Sequence, residues 1–128
     1  MKGRKDKFSG RENIPVRNLT AALAQRVMGW HVALERFVMD GRRWMPSWRF
    51  QPLERLQDAF RLLEAADPDE YRIHRRRGSG FFVLVKLNRT SGEACETSEP
   101  RAITFAIARA IGLEPDSGES VQTGVEHR

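Results

Sequence analysis

The sequence predicts an α+β fold, a three-layer α/β/α sandwich in the order αββαββα on a four-stranded, mainly antiparallel sheet. Three observations predict it. The run Phe81-Phe82-Val83-Leu84-Val85, closed by Lys86-Leu87, does not alternate apolar with polar residues, the pattern of a strand covered on both faces. Apolar stripes at helical spacing occur three times, and each gap between them holds a turn signal, Asp40-Gly41 in the first and Gly78-Ser79-Gly80 in the second. The chain has 128 residues, 40% hydrophobic and 30% charged, enough for one domain with a core and polar flanks.

The first helix is expected over Leu19–Met28, with Asn18 as N-cap, Gly29 at the C-terminal left-handed position, and Leu19, Leu23 and Val27 on one face. Trp30 folds back onto that face. A strand then runs from His31 to Met39, turns at Asp40-Gly41, and returns from Arg42 through Trp44 to Met45, where Pro46-Ser47 ends it. The second helix is expected from about Gln51, with Pro52 at the first helical position and Leu53, Leu56, Phe60 and Leu63 as its stripe. Glu54 and Asp58 read as solvated surface, and Asp67-Pro68 stops the helix. The third strand covers Glu70–Arg75 near the sheet edge, and the fourth is Phe81–Leu87. Residues 88–98 read as a polar loop. Ser98 caps the last helix, with Glu99 and Pro100 in its first turn and an apolar face of Ile103, Ala106, Ile107, Ala110 and Ile111. In this layout Arg42-Arg43 and Arg75-Arg76-Arg77 stand at opposite ends of one sheet.

The folded domain is expected over residues 18–114, between a basic flexible leader (1–17) and an acidic disordered tail (115–128). Net charge is +5, unevenly spread: residues 1–17 carry +4 and residues 114–128 carry −3. A basic arm poor in apolar residues attracts polyanions without reading sequence, or simply aids solubility. No run approaches the roughly 20 apolar residues of a membrane span, and the first residues lack the apolar region of a secretion signal. Cys95 is the one cysteine, which excludes an intrachain disulfide and a cysteine-based metal cluster. These features suit a reducing cytoplasm and no membrane partner.

Val27-Met28-Gly29-Trp30 after a short helix is similar to the VMGW motif of the phage ABA sandwich domain family. Further pieces resemble that family in order: Trp44 and Pro46, then Leu56-Gln57-Asp58-Ala59-Phe60 of its central helix, then Phe81–Leu87 of its late strand, then Ala102-Ile103 through Ala110–Leu113 of its closing helix. The resemblance spans residues 18–114. It implies a β layer between helices and a phage or prophage setting. It carries no catalytic residues and no mechanism.

The chemistry-bearing residues point to binding. There is no Walker loop, no GxGxxG, no HExxH and no paired-cysteine spacing. His31, His74 and His127 are dispersed, so neither a metal site nor a cofactor is expected. Ser79 sits between glycines in a strand–turn–strand context, unlike a nucleophile elbow, and Cys95 has Glu93 and Glu96 as neighbours, which disfavour a thiolate. Trp30 and Trp44 are expected in the core. Trp48 with Arg49 makes the best exposed aromatic–cation pair. Arg75, Arg76 and Arg77 with Ser79 form the sharpest anion-binding candidate, set against the plain role of a charged edge that blocks aggregation; Arg42 and Arg43 make a secondary basic tip. No nucleophile, base and orienting group come together. The expected function is therefore a non-enzymatic phage or prophage accessory protein that binds an acidic macromolecule of host or phage, as a host-defence inhibitor or an assembly accessory. The alternatives are a nucleic-acid-binding module and a nucleotide-binding or sequestering protein. A homodimer through a sheet edge is also open.

Overall fold

A computed structural model describes residues 11–116 of the chain. Strand β1 (Glu12–Pro15) leads into helix α1 (Val16–Arg26), then β2 (His31–Ala33), β3 (Arg36–Val38) and β4 (Trp44–Pro46). A 3₁₀ turn (Ser47–Arg49) precedes α2 (Leu56–Ala66), followed by β5 (Glu70–Arg76), β6 (Gly80–Lys86), β7 (Ser91–Glu96), α3 (Glu99–Ala110) and β8 (Leu113–Asp116). The fold is a mixed α+β sandwich. Its strands form three sheets where the sequence predicts one of four strands: β1-β8 parallel, β2-β3-β4 antiparallel and β5-β6-β7 antiparallel.

Helix α3 is the centre of the packing. Residues 102–108 and Ala110 are all buried, so the helix is dry around nearly its whole girth. An all-round apolar helix belongs inside a fold, not on one face of it. Sheet β5-β6-β7 covers one side of α3, α2 another, and β8 lies against its end. Ser98 caps it by accepting from the Arg101 N–H at 3.4 Å, as Ser at that position predicts. Buried Thr104 donates its hydroxyl to the Pro52 carbonyl at 2.8 Å.

The non-alternating strand is covered on one face only. Val83 and Val85 are fully buried toward α3 with Ala94 and Gly92 of β7 beside them. Phe82 and Leu84 point to the other face and are half-buried. Their neighbours there, Arg72, His74, Glu93 and Cys95, are exposed. The His74 ring lies 6.4 Å from the Phe82 ring, on the face where the sequence predicts a second helix.

Strand β7 replaces the polar loop expected at 88–98. Its inward residues are Gly92 and Ala94, too small to show as an apolar stripe. Small size is the requirement, because a Cβ on Gly92 would collide with the α3 backbone at Ala106 and Ala110. Helix α1 starts at Val16 with no side-chain cap, where Asn18 had been expected to cap it. Helix α2 starts at Leu56, not near Gln51: a turn over 52–54 breaks at extended Arg55, and the Pro52 carbonyl goes to Thr104. Asp58 is buried, not solvated surface, and accepts from the Gln51 N–H at 2.9 Å.

The folded part is also wider than 18–114. Residues 12–17, assigned to the leader, supply β1 and the start of α1, and residues 115 and 116, assigned to the tail, complete β8. Arg109 fastens this pair to the core. Its guanidinium holds both Glu114 carboxylate oxygens at 3.0–3.2 Å and the Glu93 carbonyl at 2.9 Å, and Arg11 donates to the Arg109 carbonyl at 3.1 Å. The rest of the expected leader and tail, residues 1–10 and 117–128, lies outside the described residues.

Two substitutions test this packing. Gly92→Ala should destabilise the protein by about 1–3 kcal/mol, because the helix backbone cannot retreat from the sheet at low cost. Thr104→Val should cost about 1–3 kcal/mol by leaving the Pro52 carbonyl without its partner. Urea unfolding followed by far-UV circular dichroism reads both as a lowered midpoint at unchanged slope.

Candidate functional site

The densest exposed apolar surface among the described residues is built by β2, β3, β4 and the 3₁₀ turn that follows. Its scaffold is an aromatic cluster: Trp30 lies 5.8 Å from Phe37 and 5.1 Å from Phe50, with Phe37 and Phe50 6.2 Å apart. All three rings are buried. Phe37 points inward from β3 with Val32 and Met45 opposite it on either side. The alternation then turns Arg36 and, from β4, Trp44 outward. Trp44 is 51% exposed, where the sequence reading places it in the core; its strand is short, and the inward position falls to Met45.

The second departure is a turn that composition does not announce. Strands β2 and β3 are joined by Leu34-Glu35, in the middle of what reads as one strand. Glu35 adopts φ 59, a conformation that glycine or asparagine usually takes. The Ser47 N–H donates to the Glu35 carbonyl at 3.0 Å, tying the hairpin tip to the 3₁₀ turn. Leu34 at that tip is 88% exposed.

Trp48 stands between two clefts. One, of about 340 Å³, is lined by Leu34, Glu35, Arg36, Trp44, Pro46 and Ser47 with Trp48. The other, of about 440 Å³, lies toward α1, with Arg17, Thr20 and Ala21 facing Val32, Phe37 and Phe50. The Trp48 carbonyl accepts from Gln51 Nε2 at 2.6 Å, while its ring is 62% exposed. Two guanidinium groups rest on the exposed rings, Arg36 at 4.4 Å from the Trp44 centroid and Arg49 at 5.8 Å from that of Trp48. Arg17, Arg36 and Arg49 outnumber Glu35, so the surface is apolar with a positive border.

The other candidates fall elsewhere. Arg42 and Arg43 occupy the β3–β4 turn, where Arg43 pairs with Asp40 at 3.8 Å. Arg75 and Arg76 end β5, with Arg77 and Ser79 in the turn to β6. The two basic tips therefore belong to different sheets. Alternation also splits the arginine run. Arg75 lies on the α3 side, 6.0 Å from the Phe81 centroid, while Arg76 joins Ser79, Phe82 and Cys95 around a cleft of about 230 Å³ on the open face. None of Arg75, Arg76 and Arg77 has a carboxylate partner among the described residues. Also among the described residues, no group of three or more His, Cys, Asp or Glu side chains could hold a metal ion, and no helix is long and apolar enough to cross a membrane.

The sequence profile of the phage ABA sandwich domain matches residues 21–107. A solved structure, a phage protein from Bacillus cereus ATCC 14579, superposes with a TM-score of 0.64 at 15% identity, over 79% of this chain and 91% of the other. That likeness is one of fold. No curated protein matches the chain.

The exposure of the tryptophans separates structural from surface roles. Trp48→Ala should change stability by no more than about 0.5 kcal/mol, whereas Trp30→Ala should cost about 3–5 kcal/mol. Parallel urea titrations of the two variants make the comparison.

Proposed function

This chain belongs to the phage ABA sandwich domain family, and we propose that it acts there as a non-enzymatic binding protein for an acidic protein surface. One observation supports the reading above others: Leu34, Trp44 and Trp48, three of the most exposed large apolar side chains, line one cleft with a guanidinium on each indole. Leaving two tryptophans and a leucine in water is costly unless something covers them. Tryptophan and arginine are also the residue types in which interface binding energy concentrates.

A protein partner fits better than a nucleic acid. Leu34 offers an aliphatic anchor with no use in base stacking. The border of Arg17, Arg36 and Arg49 selects carboxylates on the partner. Binding of this kind suits a host-defence inhibitor or an assembly accessory in a cytoplasmic setting, and needs no cofactor. Arg75 and Arg76 on another sheet, with Arg77 in the turn beside them, would steer approach without forming the contact.

The test is capture from lysate of phage-infected cells on the immobilised full chain. Trp44→Ala with Trp48→Ala should weaken retention of the captured protein at least about 30-fold. Charge reversal of Arg75, Arg76 and Arg77 to Glu should chiefly slow association. Undiminished capture by the double tryptophan variant refutes the proposal. Tight binding of arbitrary single-stranded DNA that collapses with added salt would favour the nucleic-acid reading instead.

A further inference from the structure

Strand β5 forms the outer edge of its sheet. Its one strand neighbour among the described residues is β6, so its outward N–H and C=O groups carry no ladder there. It is seven residues long, Glu-Tyr-Arg-Ile-His-Arg-Arg, and an edge of that length invites another strand. Tyr71 is 48% exposed and Ile73 is half-buried on the side that faces α3.

We propose that β5 pairs antiparallel with β5 of a second copy of this chain, about a two-fold axis through Ile73, giving one six-stranded sheet. The order of residues along the strand carries this. With Ile73 opposite itself, Glu70 of each copy faces Arg76 of the other, and Tyr71 faces Arg75. Opposite charges and an aromatic–cation pair each stabilise directly opposed positions. Arg72, already neutralised by Glu70 of its own strand at 2.8 Å, falls opposite His74. All seven residues find a partner.

Neighbouring registers fail. A continuous sheet keeps paired side chains on one face, so the register slides in steps that preserve parity. One step one way sets Arg72 opposite itself, and one step the other way sets Arg72 opposite Arg76. The charges on this edge thus admit one pairing and oppose the next two, which a merely repellent edge would not do. The surface is separate from the Trp48 clefts, which lie beside another sheet, so the two can be tested apart. Contact through an edge strand is small beside a standard interface of roughly 1,600 Å², so the dimer should dissociate on the order of 10–100 µM.

Sedimentation velocity on the full chain between about 1 and 300 µM should show a reversible shift from monomer to dimer. Arg76→Glu, which faces Glu70 with a second carboxylate, should raise the dissociation constant at least about tenfold, with circular dichroism confirming an intact fold. In a Cys95→Ser background, Ile73→Cys should cross-link to itself with a short bis-maleimide, located by mass spectrometry. A monomer at every concentration overturns the proposal. So does a dimer that ignores Arg76→Glu, or one in which Cys at position 73 does not cross-link.

Discussion

Helix α3 has to be dry on every side, and the rest of the chain is arranged to make it so. Its sequence, Ala102 through Ala110, leaves only Arg109 to reach outward among those nine residues. A helix in that position needs its backbone close to whatever covers it, which explains the small residues at the contacts. Gly92 and Ala94 bring β7 down onto α3. The Thr104 hydroxyl fixes the Pro52 carbonyl, and so decides where α2 can begin. Arg109 then uses its one outward side chain to gather Glu93, Glu114 and Phe105. Burial of one helix thereby sets the spacing of a sheet, the start of a second helix and the seat of the strand pair formed by the two ends of the fold.

The exposed surface depends on this core at one remove. Trp30, Phe37 and Phe50 fill the inner side of the β2-β3-β4 sheet, and Arg61 of α2 lies 5.1 Å from the Trp30 centroid. With the inner side filled, period-two alternation leaves Trp44 no place but outside. The 3₁₀ turn after β4 likewise presents Trp48. The exposed tryptophan surface is thus the reverse side of a packed aromatic cluster.

Legibility followed side-chain size. The Asp40-Gly41 and Gly78–Gly80 turns, the Ser98 cap and strand β6 stand out in the sequence because each has a residue type with a strong local preference. Strand β7 does not, since its inward residues are glycine and alanine and its outward ones are polar. The Leu34-Glu35 turn was hidden because neither residue favours a positive φ; tertiary contacts through Ser47 hold it. Trp48 was recognisable from its polar setting and its neighbour Arg49. Trp44 was not, because a tryptophan in a strand reads as core unless the register is known. The one-sided cover of β6 was also invisible, as Phe82 and Leu84 look the same whether a helix or only polar neighbours such as Arg72, His74 and Glu93 lie beside them.

Strands β1 and β8 run parallel, with Glu12 beside Leu113 and Pro15 beside Asp116. The chain therefore enters this pair at one end and leaves it at the other. Tension applied through the flanking segments would act along the strand axes, loading the cross-strand bonds in shear and all together. Peeling, which breaks such bonds one after another, is not the geometry this arrangement offers. Joined at its ends to other bodies, the domain would resist stretching more than its modest size suggests, with the Arg109 guanidinium as the anchor that keeps β8 from sliding.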